Sequence, residues 1–389
     1  SGSIYLDNHA TTAVDPRVAE AMWPYVVENF GNPASSGHAF GWIAKEAVEL
    51  AREEVAALLG ATPKEVIFTS GATESTNLAI VGAARANAHA GKHLITLSTE
   101  HKATLDACTS LEREGFEVTV LPVQANGLVD LELLQSTLRN DTLLVSVLMA
   151  NNEIGVLQPV NEIGEMCRER GILFHTDVAQ ATGKVEVDVQ QMKVDLVSVT
   201  AHKMHGPKGV GALYVRRGRP RVKLAPMIHG GGQERGLRSG TLPTHQIVGL
   251  GKACLYAKEA LENGEVARMR ALRDRLWEIL EQGIEGLSLN GSMESRLANN
   301  LNVSIDGVDP KALLAATRRV AVSSGSACAS STLTPSHVLQ ALGSSEDSMH
   351  TAIRFGVGRF TTPEEIEEAG SLFVDKVAEV RADQAALGL

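Results

Sequence analysis

Two spacings of hydrophobic residues alternate along the first two-thirds of the chain. Between His38 and Leu59 the apolar positions recur every three or four residues and stop at Gly60, which predicts a helix. Short runs rich in Val, Ile and Leu lie between such segments and predict strands at 66–68, 94–97, 118–120, 143–148, 172–174 and 196–199. Apolar strands separated by amphipathic helices are typical of a mostly parallel sheet covered on both faces, so the sequence predicts an α/β fold.

The pattern changes after about residue 259. Two long helical stretches are followed by a predicted strand at 299–305, a helix at 310–319, a stretch rich in Ser, Gly and Ala at 323–331, and a strand at 352–355. Thr362, which precedes Pro363, then begins a final helix. We therefore expect a large domain over residues 16–259 and a smaller α+β domain formed by residues 1–15 and 260–389.

The composition narrows the classes of function. The 389 residues carry 36 basic and 46 acidic side chains, for a net charge of −10, and this balance argues against a broad nucleic-acid footprint. No apolar stretch approaches the ~18 residues of a membrane span. The four cysteines lie far apart without a C-x-x-C pair, which fits reduced thiols better than a disulfide framework. We expect a cytoplasmic protein without membrane or direct nucleic-acid partners.

Polar residues follow several of the predicted strands, at the edge where open α/β sheets bind ligands. The residues from Thr69 to Ser75 join a strand to a helix with small side chains, so their N–H groups could hold a phosphate; the alternative is an ordinary capped helix start. Asp177 follows another strand. A carboxylate there needs a cationic partner, such as a protonated pyridine nitrogen, unless backbone donors hold it as a structural residue.

Lys203 follows a third strand, in a loop that runs into glycines. Burial lowers the pKa of a lysine and suits it to a Schiff base with an aldehyde, although most lysines simply lie on the surface. A Schiff-base lysine, an acid for a pyridinium nitrogen and a phosphate turn together are the set that pyridoxal 5'-phosphate (PLP) requires. His202 and His205 lack further ligands at a suitable spacing, so no metal is expected.

Short motifs are spread over nearly the whole chain: Tyr5 to Thr12, Phe30 to Pro33, Ser70 to Glu74, Thr99 to Lys102, Asn151 to Gly155, Ala201 to Lys203, His229 to Arg235, Arg238 to Thr241, Ser323 to Cys328, and Ile353 to Phe355. In combination they resemble the motifs of the NifS/IscS-type cysteine desulfurases, which are fold-type I PLP enzymes of the class V aminotransferase family. The resemblance implies a homodimeric transferase that takes sulfur from L-cysteine and leaves L-alanine.

The resemblance also implies a role for each matching residue. Lys203 forms the Schiff base, Asp177 pairs with the ring nitrogen, and His101 stacks on the ring and moves protons. The other residues assigned to the cofactor are Gln180 at the phenolic oxygen, Thr73, Thr200 and His202 at the phosphate, Thr241 contributed by the other subunit, and Asn152. The residues assigned to the substrate carboxylate are Arg354 and Asn152, with Asn32 nearby.

Cys328 is the sulfur acceptor that the resemblance implies. Its neighbours in the chain are Ser and Ala, unlike the surroundings of a core cysteine, so we expect an exposed thiol on a mobile segment at 323–331. The resulting persulfide passes to an acceptor protein, for iron–sulfur cluster assembly or another thiolation. Cys108, Cys167 and Cys254 fall inside predicted helices, and we expect them to be buried and inert.

Two other functions stay open at this point. A selenocysteine lyase, or another fold-type I enzyme, would use the same cofactor site, because a fold does not fix a reaction. A sulfur-relay or assembly scaffold without catalysis would need no cofactor. A yellow PLP absorbance that shifts on adding cysteine would count against the scaffold.

Overall fold

A mixed sheet of seven strands forms the centre of the fold in the computed structural model, which describes residues 2–327 and 334–389. The strands are β1 (Ile4–Tyr5), β2 (Val66–Thr69), β3 (His93–Leu97), β4 (Glu117–Leu121), β5 (Thr142–Ser146), β6 (Leu173–Asp177), β7 (Leu196–Thr200), β8 (Gly211–Val215), β9 (Leu287–Leu289), β10 (Asn300–Ile305), β11 (Val320–Ala321), β12 (Ser323–Ser324), β13 (Ser326–Ala327), β14 (Thr334–Pro335) and β15 (Ile353–Gly356). The helices are α1 (Pro16–Met22), α2 (Pro24–Val27), α3 (Ala39–Leu59), α4 (Ala72–Ala86), α5 (Lys102–Glu112), α6 (Leu131–Thr137), α7 (Val160–Glu169), α8 (Thr244–Glu262), α9 (Glu265–Gly283), α10 (Pro310–Ala316), α11 (His337–Ala341), α12 (Glu346–His350) and α13 (Pro363–Ala386).

The central sheet has the order β2-β8-β7-β6-β5-β3-β4. The neighbours from β7 to β4 are parallel, whereas β8 is antiparallel to both β2 and β7. The predicted mostly parallel α/β sheet is confirmed, and the predicted strands correspond to β2–β7. β8 is an addition, because it follows β7 through a loop at 201–210 without an intervening helix and so falls outside the strand–helix alternation.

Alternate strand residues face two hydrophobic cores, one on each side of this sheet. Phe68, Val145 and Phe174 pack on one face with residues of α3, α7 and α8. Ile67 and Leu144 pack on the other face with residues of α4 and α5. The cysteines predicted to be buried lie in these cores, and this prediction is confirmed for Cys108, Cys167 and Cys254.

A second sheet, of order β12-β15-β10-β9, is antiparallel. Its core joins Ile4 and Leu6 to Phe355 and Phe373, so the start of the chain packs with residues from its last third. β1 pairs in parallel with β11, with Ile4 opposite Val320. A small domain made of both ends of the chain requires this packing. The predicted domain bounds, with a large domain over residues 16–259, stay a prediction.

Helix boundaries follow local chemistry. His38 caps α3 by accepting a hydrogen bond from the N–H of Gly41 at 3.3 Å, and Gly60, with φ of 68°, ends it in the left-handed region. Thr362 and Glu365 form a capping box at the start of α13. Within residues 2–327 and 334–389, no helix combines the length and the apolar character needed to cross a membrane.

Candidate active site

A cavity of about 450 Å³ opens at the carboxyl ends of the central strands. The segments that follow β2, β5, β6 and β7 form most of its wall. The cavity brings together many of the residues that sequence reasoning assigned to the site, namely Thr73, His101, Asn152, Asp177, Gln180, Thr200, His202 and Lys203. Their proximity follows from the parallel order of the strands, while their chemical roles stay predictions.

Lys203 lines the cavity from the loop between β7 and β8. Its Nζ donates a hydrogen bond to the backbone oxygen of His9 at 2.6 Å, and its own backbone oxygen accepts one from Nζ of the buried Lys184 at 2.9 Å. Burial, and then the charge of Arg354, lowers the pKa of Lys203 to about 8, although nearby carboxylates act in the opposite direction. About a tenth of this amine is therefore an unprotonated nucleophile at pH 7.

Asp177 ends β6 at the wall of the cavity. Its Oδ1 accepts a hydrogen bond from the N–H of Ala179 at 2.8 Å. Burial raises the pKa of Asp177 despite this bond and the nearby charges of His101 and Lys203. Among the described residues it has no salt-bridge partner, so the carboxylate offers a place for a cation that binds in the cavity.

Gln180 lies on the same wall and is held by a residue from the start of the chain. His9 is fully buried, and its Nδ1 lies 2.8 Å from Oε1 of Gln180. In return Nε2 of Gln180 donates to the backbone oxygen of His9 at 2.9 Å. The same oxygen receives Nζ of Lys203, so His9 touches two of the predicted cofactor residues.

The turn before α4 has the geometry of an anion site. Gly71 precedes the helix with φ of 149°, in a region that favours glycine. A Cβ added at Gly211 would lie 2.4 Å from the backbone oxygen of Val199 and 2.7 Å from Cα of Gly71, so the turn packs closely on β7 and β8. The N-terminus of α4 therefore faces the cavity with small residues around it.

Charge at this end of the cavity also suits an anion. Glu74 is neutralised by Arg238, whose Nε lies 3.0 Å from its carboxylate. Lys208 is exposed at the wall. Burial, and then the charges of Lys203 and Lys208, lowers the pKa of His202 to about 4, so its imidazole is neutral at pH 7.

His101 begins α5 beside a buried acid that sequence reasoning did not single out. Nδ1 of His101 accepts from the N–H of Ala103 at 3.1 Å, so a neutral ring carries its proton on Nε2. Both carboxyl oxygens of Glu100 lie at 2.9 and 3.0 Å from the N–H of Leu148, and burial raises the pKa of Glu100 well above its usual range. Because Leu148 lines the cavity, Glu100 fixes the segment after β5.

Arg354 lies next to the cavity without lining it. One of its terminal nitrogens donates to the backbone oxygen of Asn152 at 2.9 Å. The other lies 3.1 Å from the carboxylate of Asp7 and 3.0 Å from Oγ of Ser323. Nε is buried and has no hydrogen-bond partner among the described residues. The guanidinium is thus held at the edge of the site with its Nε donor unused.

Two of the predicted residues, Asn32 and Thr241, are not at this cavity. Asn32 is exposed, and its Oδ1 accepts from the N–H of Ala34 at 2.9 Å. Thr241 is also exposed and is not part of the lining. Cys328, with the 328–331 part of the segment predicted to be mobile, lies outside the described residues. One chain alone therefore does not place Asn32 and Thr241 beside Lys203.

Lys203 should react with amine reagents at a lower pH than an ordinary lysine. With a pKa of about 8, half of its side chain is unprotonated at pH 8, against under about 1% for a lysine with a pKa near 10.4. Trace reductive methylation of the cofactor-free protein from about pH 6 to 10, read by peptide mass spectrometry, should give a labelling midpoint near pH 8 for Lys203. A midpoint above about pH 10 would contradict the lowered pKa.

Comparisons with known proteins identify the family of this chain. The family model described as Aminotransferase class-V matches residues 4–368. The chain is 58% identical over 378 residues to Cysteine desulfurase IscS of Neisseria meningitidis serogroup A / serotype 4A (strain DSM 15465 / Z2491), which covers 97% of this chain and 93% of the relative. Two solved structures also match more than nine-tenths of this chain.

The first is named "NIFS-LIKE PROTEIN", with 37% identity, a TM-score of 0.90, and coverage of 97% of this chain and 100% of that one. The second, "SspA in complex with cysteine", has 39% identity and a TM-score of 0.81, and covers 92% of this chain and 100% of its own. The family match and the full-length identity leave one assignment: the chain belongs to the class-V aminotransferase family and, within it, to the IscS-type cysteine desulfurases.

Proposed function

We propose that this protein is a PLP-dependent cysteine desulfurase that moves the sulfur of L-cysteine onto Cys328 and releases L-alanine. The observation that carries the proposal is one cavity in which Lys203, a lysine with a lowered pKa, lies with Asp177, a carboxylate without a salt bridge among the described residues. The relatives supply the substrate class, since one is named a cysteine desulfurase and another structure is a complex with cysteine.

The cavity residues fit PLP in size and charge. A volume of about 450 Å³ is within the range of small-molecule sites. Asp177 would face a protonated ring nitrogen, and the turn at Gly71 would offer N–H groups to the phosphate. Lys203 would supply the amine for the aldehyde, Gln180 would reach the phenolic oxygen, and His101 would stack on the ring.

Bound PLP would supply an electron-poor ring that takes up the electrons of the substrate Cα–H bond. Nζ of Lys203, once the amine of cysteine has displaced it, would accept the Cα proton, and a pKa of about 8 suits that task near neutral pH. Asp177 would balance the charge of the ring nitrogen. Asn152 and Arg354, which are already joined by a hydrogen bond, would orient the substrate carboxylate.

Cys328 would receive the sulfur. Its thiolate attacks the substrate Sγ, the Cβ–Sγ bond breaks, and the carbon fragment gains a proton at Cα and one at Cβ to leave as L-alanine. One cysteine and one protein thiol thus give one alanine and one persulfide, without an outside oxidant. The buried thiols are unsuited to this attack, because burial raises the pKa of Cys108 and Cys167 to about 12 and also raises that of Cys254.

We infer that the enzyme acts as a homodimer in the cytoplasm and hands its persulfide to an acceptor protein. The segment from the end of α1 to the first turn of α3 exposes the aromatic side chains Trp23, Phe30, Phe40 and Trp42 by 53–66%, and the rings of Phe30 and Phe40 lie 5.6 Å apart. Soluble monomers rarely expose a contiguous surface of this kind. A second copy would cover it and would account for Thr241 and Asn32, which one chain leaves away from the cavity. The acceptor would serve iron–sulfur cluster assembly or another thiolation.

The product ratio tests this function. The PLP-loaded protein, given L-cysteine and dithiothreitol, should release alanine and sulfide in equal amounts, measured by chromatography and by methylene blue formation. S-methyl-L-cysteine, whose sulfur is blocked, serves as the matched control and should give no alanine. Alanine from L-selenocysteine but not from L-cysteine would indicate a selenocysteine lyase, and no alanine from either would favour the scaffold without catalysis.

A further inference from the structure

The imidazole of His9 links the cavity to the second sheet. It is fully buried, with 0% of its surface exposed. Nδ1 lies 2.8 Å from Oε1 of Gln180, and Nε2 lies 3.2 Å from Nδ2 of Asn300 in β10. Both ring nitrogens are therefore occupied, one on each side, by side chains whose own orientation decides where the proton of the ring is.

Two hydrogen bonds fix which end of the Asn300 amide is the oxygen and which is the nitrogen. Arg296, which can only donate, gives a hydrogen bond to Oδ1 of Asn300 at 2.7 Å. Nδ2 of Asn300 donates to the backbone oxygen of Glu153 at 3.1 Å. The contact from Asn300 to His9 is therefore also a donation, so Nε2 of His9 is an acceptor and the proton of the neutral ring is on Nδ1.

The proton on Nδ1 then fixes Gln180. Oε1 of Gln180 accepts from His9, and Nε2 of Gln180 donates one of its two protons to the backbone oxygen of His9 at 2.9 Å. The second proton of that amide is left for the cavity that Gln180 lines. The same backbone oxygen accepts from Nζ of Lys203 at 2.6 Å. One residue thus aims an amide donor and holds the reactive amine.

The surroundings of His9 keep its ring neutral. Burial, and then the positive charge of Arg354, lowers the pKa of His9 well below its usual range, and the charges of Lys184 and Lys203 act in the same direction. The hydrogen bond to Gln180 acts against this shift without cancelling it. A protonated ring would also point a second N–H at Nδ2 of Asn300, which cannot accept it.

We propose that His9 is a positioning residue that aims the amide of Gln180 at the phenolic oxygen of the cofactor and holds the displaced amine of Lys203 through its backbone oxygen. This role rests on the proposed function, since it assumes that PLP occupies the cavity. His9 does not touch the reacting atoms. It acts through Gln180 and Lys203, and it ties their geometry to Asn300 in the second sheet.

Two substitutions at His9 separate its two ring contacts. In His9→Asn, the side-chain amide nitrogen can take the place of Nδ1 of the histidine ring, so it can still donate to Gln180. In His9→Gln, the amide is at the distance of Nε2, so it can still meet Asn300 but loses the bond to Gln180. The two variants are similar in polarity and each keeps one contact, which makes each the matched control of the other.

The readout is the pH midpoint of the visible absorbance change of bound PLP in the purified holoenzyme. Loss of the N–H donor of Gln180 makes the phenolic oxygen more basic. It therefore stabilises the protonated form of the Schiff base between Lys203 and PLP. The midpoint should rise by about one pH unit in His9→Gln, the size of one lost hydrogen bond to a charged group, and stay within about 0.3 unit in His9→Asn. Alanine release should be about tenfold lower in His9→Gln than in His9→Asn.

A second comparison separates positioning from a general loss of structure. In a Gln180→Ala background, His9→Gln should shift the midpoint no further, because its effect passes through Gln180. An additional shift of the same size there, or equal midpoints in His9→Asn and His9→Gln, would overturn the proposal. A wild-type protein that binds no PLP would instead contradict the proposed function, so the two failures are distinguishable.

The wild-type ring gives a further test, in which a variant serves only to assign the signals. The chain has 12 histidines, and the ¹⁵N ring signals of His9 can be assigned by their absence from His9→Asn. They should show the Nδ1-protonated tautomer and no titration from about pH 6 to 8.5. A ring protonated on Nε2, or one that titrates in this range, would overturn the proposal.

Discussion

Replacing Lys203 by alanine should lower alanine release from L-cysteine by at least about a thousandfold, because one amine serves both as the covalent anchor of the cofactor and as the base for the Cα proton. Its lowered pKa of about 8 and its contact with His9 suit both tasks. The measurement is the initial rate of alanine formation at saturating PLP, with circular dichroism to verify that the fold is kept.

A chemical trace complements this rate. After borohydride reduction and digestion, the wild-type peptide that contains Lys203 should gain the mass of a phosphopyridoxyl group, and the Lys203→Ala protein should carry that mass on no peptide. Lys64→Ala is the control, since Lys64 is exposed and is not part of the cavity lining, and it should keep the wild-type rate. Substantial turnover in Lys203→Ala, or the mass on another lysine, would refute the assignment.

Replacing Cys328 by alanine should lower turnover by at least about a hundredfold, because no other thiol of the chain is suited to take the sulfur. Burial raises the pKa of the other thiols, to about 12 for Cys108 and Cys167. The Cys328→Ala protein should still bind L-cysteine, seen as a shift of the PLP absorbance. It should not gain the mass of one sulfur atom after a single exposure to substrate without reductant.

The matched control for this experiment is Cys167→Ala, the same change at a buried thiol. It should form the persulfide at the wild-type rate when assayed well below its unfolding temperature. The assignment of Cys328 fails if Cys328→Ala releases alanine and sulfide at the wild-type rate. It also fails if the extra sulfur is found on Cys167 in the wild-type protein.

Local patterns predict the fold well wherever structure is decided by neighbours in sequence. The stripe from His38 to Leu59 and the stop at Gly60 match α3 (Ala39–Leu59), because a cap and a left-handed glycine are local features. β8 (Gly211–Val215) was missed because it follows β7 without an intervening helix, and because its pairing with β2 joins residues more than a hundred positions apart.

The site residues that the sequence predicts to follow strands are the ones that the fold brings to the cavity. Asp177 and Lys203 meet because β6 and β7 are parallel neighbours. The contacts of His9 were missed, because its partners Gln180 and Asn300 are 171 and 291 positions away in the chain. Glu100 was likewise missed, since the backbone N–H that it meets belongs to a different strand end.

The pairing of β1 with β11 has a consequence for how the protein is made. Residues that shape the cavity come from the first ten positions, from the central sheet, and from Arg354 in β15 near the end of the chain. A nascent chain that has emerged only as far as β8 would hold Lys203 without the strand that sets His9 against it. Contacts between such distant segments form late and slowly. Binding of the cofactor would therefore be a late step, after the whole chain has folded. The PLP absorbance of a preparation would then report the fraction of completely folded molecules.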